Sequence, residues 1–412
     1  MKHSSRARTQ LNRFALCMFL LCLIGCIYLQ SILNTRFFKC PSANSTRFME
    51  NKQDTAARIS TTSSPELTTT GEPLRTMEWH WPVWGENSAK LASDQKKAVA
   101  NFKSVNKFNV TFLFPRRKKY RLNHRELLCQ LKTRVPVKTI KAGDGPFTGE
   151  AWEKYLPKDN PRERLGPFKS CAVVMSSASL RNSKLGKEIG LTFFFLLLDS
   201  HDAVLRFNAA PTEGYSIDVG QKTTLRLLNS QLVVSEKHKF LTDPLYKTGV
   251  LLMWDPAPYS KDLYEWYKKP DYNFFQRYKA YRSLYPDQPF YILSPEMQWE
   301  LWNVIQENTA EEIQPNPPSS GMQGIVLMMS LCDQLSVYEF LPSRRKTDFC
   351  YYFQTYRNKA CTVGYYHPLL FEKNLIQRLN HGSSQDVTAS GKVTLKGFSQ
   401  YYCPPANQAH QG

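Results

Sequence analysis

Two kinds of apolar pattern run along this chain. The first is continuous: Phe14 to Leu29 carries no charged or strongly polar side chain, and tolerating Gln30 and Ser31 extends the run to Leu33. About 20 residues at a rise of roughly 1.5 Å each cross a bilayer core, so 14–33 reads as a membrane-spanning helix. The second pattern is interrupted. Ala172 to Val174 predicts a short strand, Met175 to Ser179 a turn of small residues, Asn182 to Ile189 a helix and Ala203 to Phe207 a second strand. Strand, small-residue turn and helix form the front half of a nucleotide-binding α/β unit, although the turn lacks the glycines of a dinucleotide fingerprint. Further on, Pro315, Pro317 and Pro318 stop the preceding segment, and Ser319-Ser320-Gly321 precedes the apolar run Ile325 to Leu331. Hydroxyls directly before an apolar run predict a capped, buried helix. Its open first turn and a glycine allowing close approach suit a phosphate or carboxylate; an ordinary capped core helix accounts for the same pattern and is commoner.

Charge and composition divide the chain. Lys2, Arg6, Arg8 and Arg13 precede the apolar run, and only Arg36 and Lys39 follow it closely, which keeps residues 1–13 as a cytosolic tail and sends the rest into the lumen. No A-x-A cleavage site follows, so the run reads as a signal anchor, and a short one suits the thinner membranes of the early secretory pathway. Residues 34–93, with TTSSPELTTTGEP, cannot bury a core and read as a flexible stem. The tryptophans of EWHWPVWGE, Glu78 to Glu86, fit either a cluster docked on the domain or the end of that stem. The remaining 94–412 suffices for one large domain. In a lumenal protein Asn44 and Asn109 begin glycosylation sequons.

A formal charge of +19 invites a nucleic-acid partner. Its basic runs, Arg116 to Lys119 and Arg344 to Lys346, read instead as solvated faces; a lumenal location and the lack of any reading-helix motif exclude nucleic acid. Six cysteines in the presumptive domain, Cys129, Cys171, Cys332, Cys350, Cys361 and Cys403, are an even set for an oxidising compartment and allow 15 pairings. Cys40 stands alone in the stem, and Cys17, Cys22 and Cys26 lie in the span. Zinc is excluded by spacing.

Three blocks carry a resemblance. They are CAVVMSSASLRNSKLGKEI (Cys171 to Ile189) continued by DAVLRFNAAPTEGYSIDVGQKTTLRLLNSQ (Asp202 to Gln231), then PNPPSSGMQGIVLMMSLCD (Pro315 to Asp333), and CTVGYYHPLLFEKN (Cys361 to Asn374). These resemble the long, short and very short motifs of the eukaryotic sialyltransferases. The likeness runs from about Cys129 to Cys403 and includes WDPAPY, PDYNFF, QPFYIL and YEFLPSRRKTDFCYY.

The resemblance implies an α/β domain of the variant GT-A (Rossmann-like) type, with a mostly parallel central sheet flanked by helices. It implies a Golgi type II enzyme, open to release by stem cleavage and to homodimerisation. Such an enzyme moves sialic acid from CMP-N-acetylneuraminate to the 6-hydroxyl of galactose on N-glycans (Galβ1-4GlcNAc). It further implies the pairs Cys129–Cys403, Cys171–Cys332 and Cys350–Cys361. Ser176, Asn208, Asn229, Ser319, Ser320, Gly321, Tyr351, Thr362, Tyr366 and Lys373 match donor positions. Gln231, Asp271, Gln354 and Tyr366 match acceptor positions, and His367 the general base. No D-x-D occurs, and a monophosphate leaving group needs less neutralisation than a diphosphate, so no metal is expected. The chain departs from the family pattern at GLTFFFLLL, Gly190 to Leu198, which looks inserted before Asp199 and reads as an ill-packed loop. With that insertion the alternatives are a sialyltransferase of another linkage or an inactive lumenal glycan-binding protein.

Overall fold

The computed structural model describes residues 93–112, 122–186, 198–345, 347, 349–357, 361 and 364–404. The tail, the span 14–33, the stem, Asn44, Thr362 and the Arg116 to Lys119 run lie outside the described residues. No described helix is long and apolar enough to cross a membrane.

Among the described residues seven strands form one sheet: β1 (Phe168–Val174), β2 (Ala203–Phe207), β3 (Leu225–Asn229), β4 (Val250–Trp254), β5 (Phe290–Ile292), β6 (Cys332–Tyr338) and β7 (Lys392–Lys396). Their order is β5-β4-β3-β2-β1-β6-β7, parallel throughout except for β7, which pairs antiparallel with β6. Parallel strands covered on both faces need nearly unbroken apolar runs. Val250–Trp254, VLLMW, is buried at every position. Alternate residues feed opposite faces: Val173, Leu205, Leu227 and Leu252 enter one core, Leu228, Leu251 and Met253 a second, and Ala172, Val174 and Val204 a third cluster. The expected α/β class with a mostly parallel sheet is therefore what the chain adopts.

From β1 the chain lays strands outward to β5, then returns to set β6 on the other side of β1. The order reverses between β1 and β6, the position at which open α/β sheets take ligands beyond the strands' carboxyl ends. Ser320–Leu331 is the helix that leads into β6, and it packs on β1, β2, β3 and β6. Gly324 lets it approach closely: a Cβ there would lie 2.6 Å from the Phe207 ring and 2.8 Å from Leu205.

The three disulfides are those the resemblance implies: Cys129–Cys403, Cys171–Cys332 and Cys350–Cys361. Three other expectations are corrected. Residues 182–186 are not helical; only Ala178–Leu180 makes a 3-10 turn. Asn182 and Lys184 take left-handed φ of 61° and 58°, and their N–H groups donate to the two carboxylate oxygens of Asp218 at 2.8 and 2.9 Å. Two left-handed residues cannot belong to a right-handed helix. At the inserted run, Leu198 is fully buried with Ala172, Val174 and Val204, so its last residue belongs to the core; 190–197 lie outside the described residues. Arg345 is no solvated cation. It pairs with Glu339 at 2.6 Å and donates to the carbonyls of Ser179, Ala389 and Ser390.

Cys171–Cys332 closes 161 residues and Cys350–Cys361 only 11. In the chain-entropy picture these constrain the unfolded chain by about 5 and about 3 kcal/mol. Replacing the first pair by alanines should therefore lower the thermal midpoint more than replacing the second. Equal or reversed losses in thermal unfolding would refute the ranking.

Candidate functional site

The carboxyl ends of β1 to β4 bring the candidate residues to one edge of the sheet. Ser176 follows β1 by two positions, Asn208 follows β2 directly, Asn229 ends β3 and Trp254 ends β4. Asn208 is left-handed, with φ 46°, and is held from three sides. Its N–H donates to the Leu227 carbonyl at 2.9 Å, its Oδ1 accepts from the Asn229 N–H at 2.9 Å, and its carbonyl accepts from Arg226 Nη1 at 2.8 Å. Arg226 and its cross-strand neighbour Arg206 are almost wholly buried. Burial brings the Arg226 pKa down to about 10, which leaves it charged at neutral pH. Asn229 Oδ1 caps the helix Ser230–Val234 through Leu232 N–H at 2.9 Å, and that helix carries exposed Gln231.

Asp255, just past β4, is a buried anchor. Its carboxylate accepts from Trp266 Nε1 at 2.8 Å, from the N–H groups of Asp271 (3.0 Å) and Tyr272 (3.2 Å), and from the Ser230 hydroxyl. Burial pushes its pKa up to about 6. Asp255 thus fixes the backbone at Asp271, whose own carboxylate pairs with Lys107.

Opposite the strand ends lies the first turn of Ser320–Leu331. Ser319 is its N-cap: Oγ accepts from Met322 N–H at 3.1 Å, as the sequence predicts. Buried Glu372 takes the Ser319 N–H on Oε1 at 2.7 Å and the Ser319 hydroxyl on Oε2 at 2.6 Å. The N–H groups of Ser320 and Gly321 make no hydrogen bond among the described residues. Gly321 serves packing as well as access, since a Cβ would stand 3.1 Å from Phe340 and 3.2 Å from Met175. Trp254 Nε1 donates to Ser320 Oγ at 2.9 Å and its ring lies 6.3 Å from that of His367, so one indole joins the helix terminus to the histidine.

His367 precedes the helix Leu369–Leu379, held by the Gln314 to Pro317 segment. Gln314 Nε2 donates to the Tyr365 carbonyl at 3.1 Å, and Asn316 Nδ2 to that of Tyr366 at 3.0 Å. His367 Nδ1 lies 2.7 Å from the Pro317 carbonyl. A carbonyl only accepts, so Nδ1 carries the proton and Nε2 keeps its lone pair. Burial lowers the imidazole pKa, favouring the neutral ring. The Tyr366 ring packs edge-on to His367 at 4.8 Å, and burial, then the Asp271 charge, raise its phenol pKa.

Tyr351 bridges to Ser177, and the next N–H, of Tyr352, donates to the Ser176 carbonyl at 3.2 Å, which brings this segment to the end of β1. Gln354 keeps a buried Oε1 without a hydrogen-bond partner among the described residues. Lys373 is buried beside Glu372, its pKa pushed down to about 8 mainly by burial. Asn109 is exposed in a tight turn, as a sequon requires. Glu372, Trp254, Asp255 and Lys107 were missed by sequence reasoning. The available signals were an acid in LLFEKNLI, a largely apolar run in which polar residues sit together at Glu372-Lys373-Asn374, and one in WDPAPY.

The description "Glycosyltransferase family 29 (sialyltransferase)" matches residues 147–383. Beta-galactoside alpha-2,6-sialyltransferase 1 of Mus musculus is 49% identical over 358 residues, 86% of this chain and 85% of that protein. The Homo sapiens protein of the same name is 51% identical over 79% of this chain and 78% of its own length. Beta-galactoside alpha-2,6-sialyltransferase 2 of Gallus gallus is 50% identical over 79% of this chain and 60% of its own length.

Burial raises the Glu372 pKa from 4.5 to about 7. Between those values the folded protein holds one proton more than the unfolded chain. The associated stability is full below pH 4.5 and is lost as pH rises through 7, a change of roughly 3 kcal/mol. Asp255 acts with the same sign between 3.8 and about 6. Buried histidines with lowered pKa, His367 among them, act with the opposite sign below pH 6.5, so the test is the difference between proteins. Glu372→Gln should make the melting temperature fall less, or rise more, than the parent's between pH 6 and pH 7.5. An unaltered slope in that variant would disprove the assignment.

Proposed function

Because the chain belongs to glycosyltransferase family 29, the sialyltransferases, we propose that it transfers sialic acid from CMP-N-acetylneuraminate to the 6-hydroxyl of terminal β-galactose in Galβ1-4GlcNAc units of N-glycans. The curated relatives' names supply the galactoside and the 2,6 linkage. The observation that carries the chemistry is the His367 Nδ1–H bond to Pro317, beside a helix terminus with two open N–H groups.

His367 Nε2 takes the proton of the galactose 6-hydroxyl as that oxygen attacks C2 of the sialyl group. The C2–O bond to phosphate breaks, its electron pair leaves with CMP, and the configuration at C2 inverts. Negative charge grows on the departing phosphate, where the Ser320 and Gly321 N–H groups, the helix dipole and the Lys373 ammonium can stabilise it. Glu372, whose pKa burial raises to about 7, opposes that field less than a carboxylate of ordinary acidity would. Gln231, Asp271, Gln354 and Tyr366 hold the galactose; the orphaned Gln354 Oε1 suits a sugar hydroxyl. Ser176, Asn208, Asn229, Tyr351 and Thr362 complete the donor site. The lumenal type II Golgi placement belongs to the same proposal and rests on the span 14–33.

His367→Ala should lower turnover by ~10² to 10⁴-fold with little change in CMP binding, because base catalysis acts on the acceptor proton. With the imidazole pKa lowered, the acid limb of kcat should lie below pH 6.5. Undiminished turnover in the folded variant would remove His367 from the mechanism.

No metal enters this scheme, and the protein's own donors face the phosphate. Activity should survive dialysis against EDTA. Loss that Mn²⁺ restores would show that the donor site needs an ion.

A further inference from the structure

We propose that the segment Phe102 to Val110 is a wall of the acceptor site, in which Lys107 is a positioning residue for Asp271 and Phe102 supports Tyr366. This rests on the acceptor reading of Asp271 and Tyr366. The segment precedes residues 147–383, the part that matches the family as a whole.

Its anchors are immediate neighbours of its two site contacts: Lys103 follows Phe102, and Asn106 and Phe108 flank Lys107. Phe108 is buried against Trp299, with ring centroids 5.7 Å apart, and its carbonyl accepts from Tyr259 N–H at 2.9 Å. Asn106 closes the following turn, accepting from Val110 N–H at 2.7 Å and donating to its carbonyl at 2.9 Å. Lys103 pairs with Glu311 at 3.1 Å. Next to Lys103, Phe102 sets its ring edge-on to Tyr366, centroids 6.0 Å apart, and stays 37% exposed. Lys107 reaches across to Asp271 Oδ1.

Asp271 has its backbone fixed by Asp255, so rotation of its carboxylate is the freedom that remains. Lys107 removes that freedom and leaves Oδ2 to accept a sugar hydroxyl. The Lys107 side chain is 54% exposed and that of Asp271 only 12%. An ion pair with so exposed a partner contributes little to stability. Its effect should therefore appear in acceptor binding, since a carboxylate held in one rotamer loses less freedom when the sugar arrives. Phe102 offers a partly exposed ring edge beside Tyr366, suited to the apolar C–H face of the sugar next to galactose.

The experiment measures steady-state kinetics of the full chain with Galβ1-4GlcNAc and CMP-N-acetylneuraminate for Lys107→Met, Lys107→Arg, Asp271→Asn, Phe102→Ala and the Lys107→Met/Asp271→Asn double variant. Lys107→Met should raise the acceptor KM about 5- to 20-fold, as expected for losing one charge-assisted contact, with a much smaller fall in kcat. Lys107→Arg should restore most of the affinity. Phe102→Ala should raise the same KM while the donor KM stays within about twofold. In the double variant the Lys107 effect should vanish, because its target is gone. An acceptor KM unmoved by Lys107→Met but raised by Asp271→Asn overturns the positioning role and leaves the acceptor reading standing. An acceptor KM unmoved by Asp271→Asn overturns both. Additive effects in the double variant mean that Lys107 does not act through Asp271, which also overturns the proposal.

Discussion

One buried carboxyl group, that of Glu372, sets the relation on which the rest of the site depends. It reaches from the helix Leu369–Leu379 to the cap of Ser320–Leu331 and accepts both hydrogens that Ser319 can offer. Both helices feed apolar side chains into one core cluster, and apolar packing alone leaves their relative position tolerant of sliding. Two directional bonds to one residue remove that tolerance. Because His367 lies just before one helix and the open N–H groups lie at the start of the other, the separation of the proposed base from the proposed leaving-group site depends on this contact. Burial raises the Glu372 pKa, and that has a second consequence. A fully charged carboxylate at a helix N-terminus would cancel the field that favours an anion there, whereas a partly neutral one keeps the hydrogen bonds and spares the field.

Asp255 repeats the device on the acceptor side. Its four donors come from the helix Ser230–Val234, the helix Leu263–Lys268 and the 271–272 turn, so one carboxylate gathers three segments beside the end of β4. Arg226 does the same for the Asn208 turn through the carbonyls of Asn208 and Ala210. In each case a polar group that is costly to bury is retained where it fixes loops that apolar packing could not orient. The sheet supplies a rigid edge, and these buried polar groups turn that edge into a defined geometry.

That division explains what was legible in the sequence. Strands β1 and β2 could be read because parallel strands buried on both faces are spelled as apolar runs, and the cap at Ser319 because hydroxyl, glycine and apolar run are adjacent. The disulfides and most site residues came from the resemblance, since no local rule chooses among 15 pairings. The helix expected from Asn182 failed because its residues permit a helix, and Asp218, 36 positions away, offers their N–H groups a better partner in a left-handed turn. Arg345 was misjudged for the same reason: Glu339 and three carbonyls meet it only after the chain folds. Glu372 and Asp255 escaped notice because a lone acid looks alike on a surface and in a core.

The relatives named type 1 and type 2 stand at nearly equal identity to this chain, 49–51%. Overall likeness therefore cannot decide which acceptors it prefers. The proposed donor side draws on strand ends, a helix terminus and the His367 loop, all within the region that matches the family as a whole. A nucleotide donor shared by a family constrains exactly those parts least free to vary, because each is pinned by buried polar groups. The acceptor side is different. As proposed, it has one wall from the family core, Asp271 and Tyr366, and another from the preceding Phe102 to Val110 segment, and the two segments do meet across an ion pair and a ring edge. Contacts of that kind can be exchanged from the Lys107 and Phe102 side without disturbing the fold, since both of those side chains stay partly exposed. Acceptor preference is thus best sought where the segment before the family core meets the site.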